Sequence, residues 1–581
     1  MYSNEKSVQI LVSLLKEYGI DKIVISPGGS DAPLVRSFEY DDFFECYSVV
    51  DERNAAYMAM GMAQECGTPV ACLCTAGTAV CNFIPGITEA YYQNVPVVAI
   101  TSDQHPYLMN QLELQKIKQE GLFDGVVKME VTLPSVSSDI EEWQCNRVVN
   151  EALLALNHHG KGPVHINVPI VQTLSCDQNK LQQQRVIKRY TCQDAPYREL
   201  VTKIKNKKIL VVVGENLDIK NNNDIALFEH FFKMYNCVFN VETISNLNCS
   251  GCITTYPATE TELASGKDEL IPDLVISFGN YISSYKLKGI LKANRHKMDS
   301  WVINESGDIC DPYWSLKFVF EGDYRTFLKK MVEYNNTPLS CHEYYNAWEK
   351  VVKNVEIGNL GFSSMSIAKE LSEEIADNSI LHTAILNSTR ITQFFRFNKS
   401  VKFYSNLGAL GIDGCMASFI GQSLVTDKIC YLLTGDLSFF YGMNGASIRG
   451  IKSNVRIILL NNGGGEEFKI KLPYPQKEMS NFICAQCERT AKGWVESLGY
   501  QYYVAKTNEE VKEVFRLFAK PSDKPMFLEV FLDIDADSKI IREIYSHNSS
   551  KALSSSDWVK RGIGKMIPKQ CKQIIKGFLE S

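Results

Sequence analysis

The sequence predicts an α/β protein of three doubly wound domains, each on a largely parallel sheet, and three observations lead there. At 581 residues the chain exceeds what one hydrophobic core serves, and ordinary domain sizes divide it into three or four units. Short β-branched runs alternate with helical stretches along its length, the pattern of βαβ units. Polar stretches separate the alternating blocks, one at 179–208 containing three consecutive glutamines and several lysines, another at 335–339. The expected division is therefore 1–178, a linker at 179–208, a central domain at 209–335, a third domain at 345–545 and a tail at 546–581.

In chain order, the first block offers strands at Lys22–Ser26, Phe44–Val50, Val70–Cys74, Pro96–Thr101 and Val164–Val168. The second opens with Ile209–Val213 and continues through Cys237–Val241, Leu274–Phe278 and Trp301–Ile303. The third offers Ser379–Thr383, Val401–Ser405, Ile429–Leu433, Val455–Leu460 and Met526–Leu532. From Lys551 onward seven basic residues face two acidic ones, and apolar residues from Ile563 to Leu579 could line a helix face that docks on the body.

Composition narrows the function. Apolar residues make up 45% and charged residues 22%, and the formal net charge is only −6. That balance gives no electrostatic case for nucleic acid or an anionic membrane as partner. The first twenty residues carry charges within their apolar pattern, unlike a signal peptide. Residues 68–87 are uncharged but contain Pro85, Gly77, Gly86 and Asn82, which suits strand, loop and helix better than a membrane span. Eighteen cysteines without a secretory signal fit free thiols and a cytoplasmic protein. Cys249–Cys252 and Cys484–Cys487 have CxxC spacing, yet no histidine lies near either, so ordinary free cysteines are expected.

Two stretches carry chemistry. Gly435-Asp436-Leu437-Ser438 is followed by a helical stretch and a strand ending in Asn461-Asn462-Gly463-Gly464. A βαβ unit places both turns at the carboxyl ends of neighbouring strands, where open α/β sheets bind ligands. A carboxylate, an amide oxygen and a backbone carbonyl are hard ligands suited to Mg²⁺, and the glycines admit phosphate oxygens close to the backbone. Two ordinary Gly/Asn/Asp turns remain the alternative. Some 380 residues earlier, Asp51-Glu52-Arg53 follows a strand and opens a helix rich in alanine. Glu52 is then either ligand-facing or a simple first-turn acid.

Together these residues resemble the thiamine-diphosphate (ThDP) enzymes, most closely the SEPHCHC synthase (MenD) family, which joins 2-oxoglutarate to isochorismate. The resemblance spans about residues 5–535. It includes Ser26-Pro27-Gly28, the Thr75-Ala76-Gly77-Thr78-Ala79 loop, Thr101-Ser102-Asp103 and Gly411-Ile412-Asp413-Gly414. It implies pyrimidine-binding, central and diphosphate-binding domains, a cytoplasmic homodimer or homotetramer, and ThDP with Mg²⁺. It implies Glu52 as the proton shuttle at N1′ of the aminopyrimidine. Gly28, Thr75, Gly77, Thr78, Gly411, Gly435, Leu437 and Ser438 would hold cofactor, with Ile412 propping its bent conformation. Asp436, Asn462 and the Gly464 carbonyl would ligate the metal. In that family Glu52 and Asp436 meet across a subunit interface.

The substrate half departs from the family. Arginines that pair substrate carboxylates are replaced by Ser30, Gln104 (followed by His105) and Leu407, and a fourth, expected near Thr392, is missing although Arg390 lies close by. A middle-domain lysine has become Tyr285, with Lys286 adjacent. Family Gln-Ile-Phe reads Glu466-Glu467-Phe468, while Gln115 matches a substrate-contacting glutamine. Burying an unpaired carboxylate costs several kcal/mol, whereas carboxylate side chains accept bonds from O–H and N–H donors. The expectation is a 2-oxo-acid decarboxylase/carboligase acting on a small-molecule acid and a different, polar acceptor. SEPHCHC synthase itself and a non-catalytic ThDP-fold subunit are the alternatives.

Overall fold

The computed structural model describes residues 1–171, 175–215, 217–219, 221–335, 337–471, 482–486 and 488–552. It holds three sheets in two compact units, one comprising Met1–Tyr190 with Lys317–Val319, the other Thr191–Leu316 with the chain from Phe320 on.

The first unit's sheet contains β1 (Lys22–Ser26), β2 (Glu45–Ser48), β3 (Val70–Cys74), β4 (Val97–Asp103), β5 (Met129–Thr132) and β6 (Val164–Pro169). Their order is β2-β1-β3-β4-β6-β5, every neighbouring pair parallel. Both faces are covered: Ile23, Ile25 and Leu73 face one apolar cluster, Val24, Cys72 and Cys74 the other. Strands buried on both sides read as continuous apolar runs, which is why β1, β3, β4 and β6 were legible.

The second sheet is built from β7 (Lys188–Thr191), β8 (Ile209–Val213), β9 (Cys237–Val241), β10 (Cys252–Ile253), β11 (Leu274–Phe278), β12 (Asp299–Asn304) and β13 (Leu316–Glu321). Its order is β10-β9-β8-β11-β12-β13-β7. Ligands commonly enter such sheets where the order reverses, here between β8 and β11. Backbone closes that crevice: Glu215 N donates to Tyr281 O at 3.0 Å. A Cβ on Gly214 would lie 2.5 Å from the Asn280 carbonyl oxygen.

The third sheet has β14 (Ile380–Thr383), β15 (Lys402–Ser405), β16 (Cys430–Gly435), β17 (Val455–Asn461), β18 (Gln501–Ala505) and β19 (Met526–Phe531). The order β15-β14-β16-β17-β19-β18 repeats the wiring of the first sheet strand for strand.

The structure corrects three expectations. The stretch expected as a linker at 179–208 contains β7 and the helix Tyr197–Ile204, whose Tyr197, Leu200, Val201 and Ile204 are buried. Polar residues on its outer face hid this amphipathic pattern. The helix Glu343–Lys353 places Tyr344, Trp348 and Val351 in the core of the central sheet, so that core continues past residue 335. Residues 546–552 continue the helix Ile534–Ala552 instead of starting a tail, and 553–581 lie outside the described residues. Strands β5, β7, β10 and β18 had no clear sequence signal, because short or half-exposed strands lack continuous apolar runs; β13, mostly buried, was also missed, its apolar run interrupted by Lys317.

Candidate active site

In the first unit, the turn after β2 leads into the helix Glu52–Cys66, capped by the Asp51 carboxylate, which accepts from Asn54 N at 3.2 Å. Ala55, Ala56, Ala59 and Ala63 form its buried face. Their small side chains admit the helix Thr78–Tyr92 so closely that a Cβ on Gly86 would come within 2.6 Å of the Ala56 Cβ. That approach lets Asn82 Nδ2 donate to Glu52 Oε2 at 3.1 Å, orienting the carboxylate. The pairing of Asn82 with Glu52 was not legible in the sequence, because a partner thirty residues away leaves no local signal.

The loops at the ends of β1, β3 and β4 are tied together. Gly28 rests on Thr75, where a Cβ would meet the Thr75 Cβ at 2.4 Å. Gly77 adopts φ +87°, and its N–H donates to Gln119 Oε1 at 3.2 Å, ahead of the helix that starts at Thr78. Ser30 Oγ shares hydrogen bonds with Thr75 Oγ1 at 2.8 Å and Ser102 Oγ at 2.7 Å, and accepts from Ala76 N. Ser30 therefore fastens the loops. Gln104 Nε2 donates to Leu114 O at 2.8 Å, and His105 Nδ1 accepts from Tyr107 N. Gln115 is exposed at φ +63°, with its backbone carbonyl oxygen 3.5 Å from where a Gly77 Cβ would sit. A buried ion pair, Lys116 Nζ to Asp103 Oδ1 at 2.7 Å, underlies this loop.

In the second unit, β16 and β17 pair in parallel with Gly435 opposite Leu460, so Asp436 and Asn462 leave the sheet side by side. Asp436 is buried, and its Oδ1 accepts from Leu437 N at 2.6 Å. Burial pushes its carboxyl up to about 6, against the opposing pull of the Leu437, Gly463 and Gly464 N–H groups. No side-chain cation pairs with it among the described residues. Asn462 Oδ1 accepts from Gly464 N at 3.3 Å, while its Nδ2 donates to Glu466 Oε2 at 3.4 Å. The turn is held from behind by Glu529, fully buried and accepting from Asn461 Nδ2, Thr490 Oγ1, Ala491 N and Tyr502 OH. Ser438 Oγ donates to Ile412 O at 2.7 Å, which fixes the Gly411-Ile412 loop beside the Asp436 turn. A desolvated carboxyl next to amide and carbonyl oxygens is a donor set suited to a hard divalent cation, and these residues could hold one.

Beside this turn lies a cavity of about 700 Å³, lined by Glu260, Glu262, Tyr285, Lys286, Leu386, Arg390, Glu467, Arg542 and Tyr545 among others. A second space of about 220 Å³ shares Tyr285, Leu386 and Arg390 and is also lined by Leu407. Arg390 is ion-paired with Glu467, and Lys286 Nζ lies 2.5 Å from Glu262 Oε1.

Glu466 departs from expectation. It is buried, holding Asn387 Nδ2 and Asn462 Nδ2, and does not line the larger cavity. Burial, followed by the neighbouring Asp537 charge, raises its carboxyl well above the usual range. One free acid at the cavity was therefore overcounted; Glu467 is there, already paired.

Comparison with known proteins decides the family. Residues 6–122 match the model of the thiamine pyrophosphate enzyme N-terminal TPP binding domain. The chain is 35% identical to the 2-succinyl-5-enolpyruvyl-6-hydroxy-3-cyclohexene-1-carboxylate synthase of Bacteroides thetaiotaomicron, over 95% of this chain and all of the relative. This chain belongs to the SEPHCHC synthase family. The Bacteroides fragilis synthase is 36% identical over 94% of this chain and 99% of the relative, and that of Porphyromonas gingivalis is 29% identical over 95% and 98%. As a SEPHCHC synthase family member the chain is a ThDP-dependent enzyme with small-molecule substrates. Among the described residues no helix is long and apolar enough to cross a membrane.

Proposed function

We propose that this SEPHCHC synthase homologue uses ThDP and Mg²⁺ to decarboxylate a 2-oxo acid and ligate the remaining acyl unit to a neutral polar acceptor. The observation that carries the choice of acceptor is the charge state of the 700 Å³ cavity. Three acids (Glu260, Glu262, Glu467) line it with three bases (Lys286, Arg390, Arg542), and two of those bases are already paired within it. A lining of that kind offers no net positive potential to an acceptor bearing several carboxylates, whereas its acids accept from hydroxyl or amino donors.

Asp436, Asn462 and the Gly464 carbonyl would hold the metal, and the Gly435–Ser438 and Asn461–Gly464 turns the diphosphate. Bound there, ThDP supplies the carbon nucleophile and the electron sink for loss of CO₂. Glu52, steadied by Asn82, would exchange a proton with N1′ of the aminopyrimidine. Ile412 would prop the cofactor's bend, Gly28, Thr75, Gly77 and Thr78 would shape the pyrimidine side, and Glu467 and Arg390 would face the acceptor. A cytoplasmic homodimer or homotetramer is the expected form.

A second reading is the activity named for its relatives, and the full-length identity of 35% favours it. One experiment separates the two. Purified protein with ThDP and Mg²⁺ is given a panel of 2-oxo acids, CO₂ release is followed, and each active donor is then offered isochorismate or polyhydroxylated aldehydes. Ligation to a neutral acceptor with less than about one-hundredth of that rate on isochorismate is expected, since two or three lost charge-assisted contacts amount to at least ~10²-fold. Full rescue of a strain lacking SEPHCHC synthase would instead establish the second reading.

A further inference from the structure

We propose that Cys249 and Cys252 form a dithiol–disulfide couple, a modification site separate from the cofactor chemistry. The CxxC spacing alone reads as two ordinary free cysteines. In the fold the two sulfurs lie 3.4 Å apart, so bond formation requires them to close by only about 1.3 Å to the normal disulfide length. The turn between them is already made. Cys252 N donates to Cys249 O at 3.3 Å, and Gly251 takes φ +89° with its carbonyl oxygen accepting from Phe239 N at 2.9 Å. A metal site would need further ligands. Among the described residues no set of three His, Cys, Asp or Glu ligand atoms includes either sulfur.

The pair closes a loop that leads to the diphosphate-binding sheet. Asn246 binds both backbone groups of Phe403, donating to its carbonyl at 2.9 Å and accepting from its N–H at 2.8 Å. Thr243 N donates to Gln393 Oε1 at 2.8 Å. Phe403 lies in β15, the strand that runs into Asn406 and Leu407. An oxidised pair would fix the far end of a loop whose near end is docked beside the substrate side of the site.

The co-reactant is a low-molecular-weight disulfide. One cysteine, as thiolate, attacks a sulfur of that disulfide and expels one small thiolate, which takes up the proton. The second cysteine then attacks the protein sulfur of the mixed disulfide and releases the other small thiol. Two protein thiols and one small disulfide become one protein disulfide and two small thiols. The Cys252 side chain and burial both push the Cys249 thiol up, so exchange should accelerate as pH rises through neutrality.

The test uses the full-length reduced protein with oxidised glutathione, followed by maleimide alkylation, digestion and mass spectrometry. The peptide holding both cysteines should lose two hydrogens and carry neither maleimide nor glutathione, and dithiothreitol should reverse this. Cys252→Ser should instead retain glutathione on Cys249. Full alkylation of both cysteines in the treated wild type would overturn the proposal, as would a persistent mixed disulfide there. Protection removed by a chelator and not by dithiothreitol would overturn it too, by marking a metal-bound pair.

Discussion

Glu467→Gln tests the reading of the acceptor cavity most directly. The wild-type side chains of Arg390 and Glu467 are only 7% and 18% exposed, so little water is available to replace the lost charge. Breaking a buried ion pair typically costs ~3–5 kcal/mol. The glutamine oxygen still accepts one bond and the partner keeps some exposure, which reduces the expected loss to ~1–3 kcal/mol. The released guanidinium is then available to a ligand carboxylate. One charge-assisted bond at ~1.5–3 kcal/mol corresponds to ~10–150-fold tighter binding. Urea unfolding measures the first effect, and calorimetric titration with succinate measures the second. The double variant Arg390→Met/Glu467→Leu should recover most of the stability, because apolar replacement of a buried pair is often neutral, and should show no gain for succinate. A single variant as stable as the wild type, with unchanged succinate affinity, would refute the argument that the pair neutralises the cavity.

The remaining predictions concern proton transfer, metal binding and pH. Glu52→Gln should keep the fold and cofactor affinity yet lose ~10²–10⁴-fold in activity, with exchange of the cofactor C2 proton, followed by NMR, slowing in parallel; wild-type exchange would remove Glu52 from the mechanism. Asp436→Ala should abolish Mg²⁺-dependent ThDP binding in calorimetry, since it removes the anionic ligand of the proposed metal site; unchanged affinity would place the diphosphate elsewhere. Burial, reinforced by the Glu242 charge, pushes Glu215 up to about 7 from an ordinary 4.5. The folded state therefore holds its proton more tightly, and stability falls as pH rises from about 4.5 through about 7. Glu215→Gln should be more stable than wild type by on the order of 1–3 kcal/mol above that window, and equal slopes of stability against pH in the two proteins would count against it.

What the sequence determined by itself was whatever is written locally. Buried strands such as Val70–Cys74 and Leu274–Phe278 are apolar on both faces, and turns such as Gly435-Asp436 and Asn461-Asn462-Gly463 need particular residues. These sufficed for three parallel sheets. Amphipathic and edge elements such as Tyr197–Ile204 and Gln501–Ala505 were harder to read, because only packing distinguishes their half-buried pattern from a polar linker. The tertiary structure alone decided how charges and sulfurs pair. Glu466 and Glu467 are neighbours in sequence, but one turns inward against Asn387 and Asn462 while the other meets Arg390. Glu529 reaches Asn461 across 68 residues, and Asn246 docks on Phe403 from 157 residues away. The physical reason is that an ionic or hydrogen-bonded contact depends on distance and desolvation, and chain folding sets both only after the locally encoded elements have packed.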